Sequence, residues 1–183
     1  QYCEFKNNPR NGVLEGWGNG LSSDYSEFIN CTFHDLGTSG TGYGIYTGTS
    51  NNLLDHCEFY NLPRYGVHQF TNAAGQTSNN NVTRNSKFHE TGTNTALYSA
   101  SILLSSGTGN LAYNNIVYHS LRGIQIYGTS INGAAYNNTV YNNTYQGFVI
   151  EAGSSGALVK NNIIYLNGDS AILNNGTNST FSN

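Results

Sequence analysis

Six side chains with cationic, acid–base or phenolic chemistry fall in or beside one recurring phrase of this 183-residue sequence: Tyr46, Arg64, His68, Arg122, Tyr127 and Glu151. The phrase is a glycine or another small residue followed by a β-branched or aromatic one. Tyr46 and His68 directly follow Gly44-Ile45 and Gly66-Val67, and Arg64 and Arg122 stand just before the glycines of two phrases. Arginine supplies a fixed cation, while histidine, tyrosine and glutamate can hold or move a proton. Such a set would suit removal of a proton α to a carboxylate with a cation stabilising the enolate, the chemistry of a lyase or epimerase acting on uronates. A hydrolase would need paired carboxylates. Only Glu151 stands near the phrase, whereas Asp24, Asp35 and Asp169 fall in turn-like segments. The set is a constellation rather than a signature, and ordinary surface charge is its plain alternative.

These residues are positioned by a repeat. A second phrase runs small or polar residue, any residue, apolar residue, then aromatic or His. It reads Cys31-Thr32-Phe33-His34, Cys57-Glu58-Phe59-Tyr60, Ser86-Lys87-Phe88-His89, Asn115-Ile116-Val117-Tyr118, Asn138-Thr139-Val140-Tyr141 and Asn162-Ile163-Ile164-Tyr165, with Cys3-Glu4-Phe5-Lys6 as a degraded first copy. Its first position recurs after 28, 26, 29, 29, 23 and 24 residues. Between copies come the Gly-Val/Ile phrases and short runs such as Leu53-Leu54-Asp55, Leu111-Ala112-Tyr113 and Leu158-Val159-Lys160. Alternation over so few residues predicts strands. Three short strands per 23–29 residues, separated by turn residues, predict one coil of a parallel β-solenoid. A coil cannot bury its inner face alone, but stacked coils can. Length varies most at 37–42 and 71–80, where insertions would be tolerated.

The pattern resembles the pectate-lyase-like right-handed parallel β-helix superfamily, including its generic parallel β-helix repeats, over nearly the whole chain. Asn115, Asn138 and Asn162 match that family's asparagine ladder between its second and third strands, and the Gly-Ile/Val phrase matches its first strand. The resemblance implies an all-β, right-handed, single-stranded β-helix of about seven coils with three short strands each, here one domain over 1–183 without evident end caps. It does not fix an activity, because the fold hosts lyases, hydrolases, epimerases, tailspikes, adhesins and spacers. In the lyases the outer face of the first strand carries a charged substrate groove. Here that column reads Leu14, Tyr46, His68, Leu103, Gln125, Val149 and Leu173, a largely apolar stripe that a partner or neighbouring chain is expected to cover.

A second outward column is Lys6, His34, Tyr60, His89, Tyr118, Tyr141 and Tyr165. Rings on successive rungs stabilise a sheet by stacking. Tyr60, Tyr118, Tyr141 and Tyr165 are also candidates to stack on sugars or to meet a protein. Cys3, Cys31 and Cys57 share the inward column that later holds Ser86 and the asparagines, so small buried thiols are expected there, not a disulfide.

Charged residues make up 9% of the chain and net charge is −3, which leaves no basic footprint for nucleic acid, and no apolar run is long enough to span a membrane. No metal-ligand spacing or phosphate loop is present, so no metal or cofactor is implied. Sequons at Asn30, Asn81, Asn137, Asn142, Asn175 and Asn178 would admit covalent glycans in a secreted protein. Ile124 to Asn138 and Phe148 to Asn162 each span 14 residues, and a copy joined after Asn183 would place its Cys3 14 residues beyond Ile172. Matched phase at both ends favours a secreted or cell-surface structural protein stacking head to tail into a fibre. A polysaccharide lyase or epimerase, and a non-catalytic glycan-binding module, are the alternatives.

Overall fold

A computed structural model describes residues 2–16, 23–38, 41–71, 76–95 and 99–183. The variable stretches at 37–42 and 71–80 lie partly outside them. Each coil contributes one strand to each of three parallel sheets, and every sheet holds seven strands. Sheet 1 stacks Val13–Glu15, Ile45–Thr47, Val67–Gln69, Ile102–Thr108, Ile124–Ile131, Phe148–Ile150 and Ile172–Asn174. Sheet 2 runs from Glu27–Ile29 through Leu53–Asp55, Val82–Arg84, Leu111–Tyr113, Ala134–Tyr136 and Leu158–Lys160 to Thr180–Ser182. Sheet 3 holds the aromatic phrase, from Glu4–Lys6 and Thr32–His34 to Ile163–Tyr165. The expected register holds: Phe33 pairs with Phe59, Val67 with Ile102, and Leu111 with Ala134.

Inside, Phe5, Phe33, Phe59 and Phe88 stack with ring centroids 4.6–4.7 Å apart and planes within 4°. Val117 and Val140 continue the column, fully buried. The glycine that opens the sheet 1 phrase is required by this packing. A Cβ on Gly44 would lie 2.6 Å from both the Gly66 carbonyl and the Phe59 ring.

Corners are built from pairs of adjacent residues with opposite tasks. The first adopts a left-handed backbone, as Asn85, Asn114, Asn137, Asn142 and Asn161 do with φ of 49–55°, a conformation asparagine tolerates better than most side chains. The second points inward and bonds the coil above or below. Asn138 Oδ1 accepts from the Asn115 backbone N–H at 3.0 Å and from Asn115 Nδ2 at 3.1 Å, while Asn138 Nδ2 donates to the Ala112 carbonyl at 2.9 Å. Ladders of this kind occupy all three corners. Besides the expected column there is one through Asn52, Asn81 and Asn110 and another through Ser120, Asn143 and Asn167. Cys31 and Cys57 lie in the expected column, buried as free thiols, with Cys57 Sγ 3.3 Å from the Phe28 carbonyl, whereas Cys3, expected to be buried with them, is exposed. Burial pushes the Cys57 thiol up to about 11, so it stays protonated.

Outside sheet 3 the His/Tyr column forms one continuous stack. Successive centroids from His34 through Tyr60, His89, Tyr118 and Tyr141 to Tyr165 are 4.6, 5.1, 5.2, 5.2 and 5.0 Å apart. His34 ties the first two coils together: its Nε2 lies 3.0 Å from Glu4 Oε1 and its Nδ1 2.6 Å from Asp35 Oδ2. Burial alone would lower the His34 pKa, but the bonds to Glu4 and Asp35 outweigh it and raise it. Glu4 is held low by Lys6 and then His34, and Asp35 by His34 and then Asn61.

Two outcomes follow from the corner ladder and the carboxylate-clamped histidine. Asn138→Ala strands the Asn115 N–H and the Ala112 carbonyl inside the solenoid and should cost on the order of 3 kcal/mol in thermal or denaturant unfolding. Asn137→Gly, one residue away on the outer left-handed position, should change stability by only a few tenths of a kcal/mol. The clamp should also shape the pH dependence of Tm. A histidine raised above its ordinary 6.5 contributes stability fully present below that pH and lost as pH rises through the raised value. The lowered carboxylates contribute stability above their ordinary 4.5 and 3.8 and lose it as pH falls further. Tm should therefore peak in mildly acidic solution, and His34→Gln should flatten the decline on the alkaline side of that peak.

Candidate functional site

The outer face of sheet 1 is the floor of a groove. Most of its central residues are already covered: Tyr46, Leu103, Gln125 and Val149 are 7%, 3%, 5% and 1% exposed, His68 is half-buried, and Leu14 and Leu173 toward the ends are exposed. Tyr43, Tyr65 and Ala100, on the shoulder that enters sheet 1, pack with Leu103 as a small cluster of their own. The stripe expected to need a neighbouring chain is thus closed largely by the chain itself. The sequence pattern could not reveal this, because the covering residues lie outside the repeating phrases.

Two cavities open along the floor and meet at His68. One, of about 350 Å³, is lined by Arg10, Tyr43, Tyr46, Arg64 and His68, with Leu14 at its edge. The other, of about 380 Å³, is lined by Tyr65, His68, Phe70, Gln125, Tyr127 and Glu151. The groove therefore gathers five of the six side chains singled out by their position. Arg122 lines neither cavity: its Nε donates to Gln146 Oε1 at 2.9 Å and its guanidinium lies 5.1 Å from the Tyr145 ring centroid.

His68 sits among four rings, with centroids 5.3 Å from Tyr43, 4.6 Å from Tyr46, 4.8 Å from Tyr65 and 5.5 Å from Phe70. Its Nδ1 is buried without a hydrogen-bond partner among the described residues. Burial, with the Arg64 charge adding to it, lowers its pKa to about 3, so the ring is neutral near pH 7. Burial likewise raises the Tyr46 phenol to about 12. Arg64 donates from Nη1 to the Tyr43 hydroxyl at 2.6 Å and lies over the Tyr43 and Tyr65 rings at 5.2 and 5.5 Å.

At the far end, Gln125 Nε2 donates to Glu151 Oε1 at 3.2 Å. Tyr127 reaches the rim through an irregularity in the sheet. Register slips between Leu104 and Ser106, so that Tyr127 and Gly128 of one strand face the single Ser105 of the other. Gly128 takes a left-handed φ of 64° there. Bulges of this kind re-aim a side chain, and Tyr127 is left 47% exposed. No other ring among the described residues covers it.

The tyrosine column on sheet 3 differs in this respect. Tyr60, Tyr118 and Tyr141 each have a ring on both faces, leaving only edges free, so these three cannot lay a face on a sugar. Tyr165, 44% exposed, ends the stack.

Sequon positions also divide. Asn30, Asn137, Asn142, Asn175 and Asn178 are exposed at turns. Asn81 is fully buried, its Nδ2 donating to the Thr49 carbonyl at 2.9 Å and to Ser78 Oγ at 3.1 Å. It belongs to an interior ladder and cannot present its amide for glycosylation in the folded chain. The signal that would have revealed this is the paired asparagine itself: in Asn80-Asn81 the first residue turns and the second points inward, as in Asn137-Asn138.

Neither the curated proteins nor the solved structures contain a match to the chain. The family model for a right-handed beta helix region matches residues 17–183. With seven coils of three parallel sheets and a family match over most of its length, the chain belongs to the right-handed β-helix family.

Proposed function

We propose that the chain is a non-catalytic carbohydrate-binding β-solenoid that holds a polysaccharide along the outer face of sheet 1. The observation that carries this reading is Tyr127, an aromatic ring that no other ring among the described residues covers, at the rim of a cavity whose polar lining includes the Gln125–Glu151 pair. A concave, mostly apolar site with a few fixed polar groups is the usual form of a small-ligand or sugar subsite. Two such cavities in line suit an extended chain better than a compact molecule. A polysaccharide partner also fits an extracellular or cell-surface setting.

Lyase or epimerase chemistry on the same residues is less well supported. Proton abstraction works best with a base whose pKa lies near the operating pH. His68, at about 3, is too weak a base, and Tyr46, at about 12, keeps its proton. Self-association into a fibre loses one of its motives, because the central part of the apolar stripe is covered within the chain.

Affinity electrophoresis of the full chain through gels carrying plant, algal or bacterial polysaccharides tests the reading. Retardation by at least one polymer is expected. Tyr127→Ala should weaken it about tenfold with little change in Tm, because the ring is exposed and its contribution is to the ligand. Tyr141→Ala should lower Tm and leave retardation intact. The opposite pattern, or release of unsaturated product absorbing in the ultraviolet from uronate polymers, would overturn the proposal.

A further inference from the structure

The two halves of the groove differ in charge, and this bears on what kind of saccharide they admit. The chain has an excess of acid, ten Asp and Glu against seven Lys and Arg. Several of its cations are matched to carboxylates at short range: Lys6 with Glu4 at 2.9 Å, Arg84 with Asp55 at 2.7 Å, and Lys87 with Glu58 at 2.8 Å. Arg10 and Arg64 are exceptions. Neither forms an ion pair with a carboxylate among the described residues, and both line the same aromatic cavity. No carboxylate lines that cavity among the described residues; Asn11, Thr41, the two phenols and the neutral His68 ring are its other polar groups there.

The donors there have spare capacity. Among the described residues the Arg64 guanidinium side chain makes one hydrogen bond, from Nη1 to Tyr43, so its terminal nitrogens keep N–H groups to donate. Tyr43 accepts from Arg64 through its oxygen, which leaves its own hydroxyl hydrogen free to donate. A guanidinium held over two rings and enclosed by aromatic walls is partly shielded from water, which strengthens its attraction for an anion. The neighbouring cavity has the opposite character, with Glu151 and the Gln125 amide at its end.

We propose that the Arg10–Arg64 cavity is a subsite for an anionic substituent, carboxylate or sulfate ester, on the saccharide held in the groove. The Gln125–Glu151 half takes an uncharged sugar unit. A ligand therefore lies in one direction, its charged unit over Tyr43 and Tyr46 and its neutral unit beside Tyr127. This inference rests on the carbohydrate reading of the groove but makes a separate claim, about charge.

Calorimetric titration of the full chain with oligosaccharides of one backbone tests it, in unsubstituted, uronate-bearing and sulfated series. One or both anionic series should bind at least about tenfold tighter than the neutral one at low salt, and the preference should shrink as salt screens it. Which anionic series binds tighter identifies the source of the charge. Arg64→Ala should weaken anionic binding by about tenfold to a hundredfold, as expected for loss of a charge-assisted contact, and weaken the neutral series at least about fivefold less. Arg10→Ala should act in the same direction; Arg10 is exposed, so this variant should keep the wild-type Tm and guards against misfolding as the explanation. Equal affinity for neutral and anionic series, or equal loss of both in Arg10→Ala, would refute the anionic subsite while the groove still bound sugar. Failure of every series to bind would remove both readings together.

Discussion

The structure depends on one constraint: every coil must turn three corners and satisfy, at each, the backbone groups that a tight bend takes out of the sheets. A buried amide N–H left without a partner costs about as much as a hydrogen bond is worth, and a solenoid repeats that cost at every rung. The chain meets it by placing inward amides or hydroxyls that reach the adjacent coil, as Asn115 reaches Asn138 and Asn138 reaches Asn162. The residue just before each inward group turns left-handed, and asparagine is often that residue too. One composition thus serves two opposite purposes. The asparagine content that could suggest a loose polar chain is spent on corners, while phenylalanine, valine and isoleucine fill the space between them.

Once the coils are locked in register, side chains about two dozen residues apart become vertical neighbours, and the two outer aromatic sets part ways. On sheet 3 the rungs are regular, so rings fall face to face and saturate one another. On sheet 1 the shoulders differ in length and the ladder is interrupted at Leu104 and Ser106. Rings there meet at mixed angles, from the near-parallel Tyr43–Tyr65 pair to the edge-on Tyr43–Tyr46 pair, and leave cavities between them. Regularity yields stability; the irregular face is the one with room for a ligand.

The same irregular face concentrates unusual electrostatics. His68 is held neutral by burial and by Arg64, and Tyr46 is held protonated by burial. These are properties of a low-dielectric binding floor, where neutral rings pack and fixed guanidinium charge remains. His34 on sheet 3 shows the contrasting case. Two carboxylates reach its two ring nitrogens, and its proton is held more firmly than in a free histidine.

Recurrence alone revealed the winding. The spacing of Cys31, Cys57, Ser86 and Asn115 fixed the coil length, alternation fixed which residues face inward, and the glycine-led phrase marked sheet 1; these are local properties that survive in a one-dimensional reading because each coil repeats the last. Even the groove-side position of Tyr46, His68 and Glu151 was legible this way, since it follows from phase. What the sequence could not carry was anything set by contacts between different parts of one coil or by a break in the repeat. That Arg122 turns to Gln146, that Asn81 is interior, that the stripe around Leu103 is covered, and that Tyr127 stands clear while Tyr141 is sandwiched were decided only by tertiary packing. The physical reason is that periodicity specifies direction, inward or outward, whereas exposure depends on what the shoulders and corners place over each outward side chain.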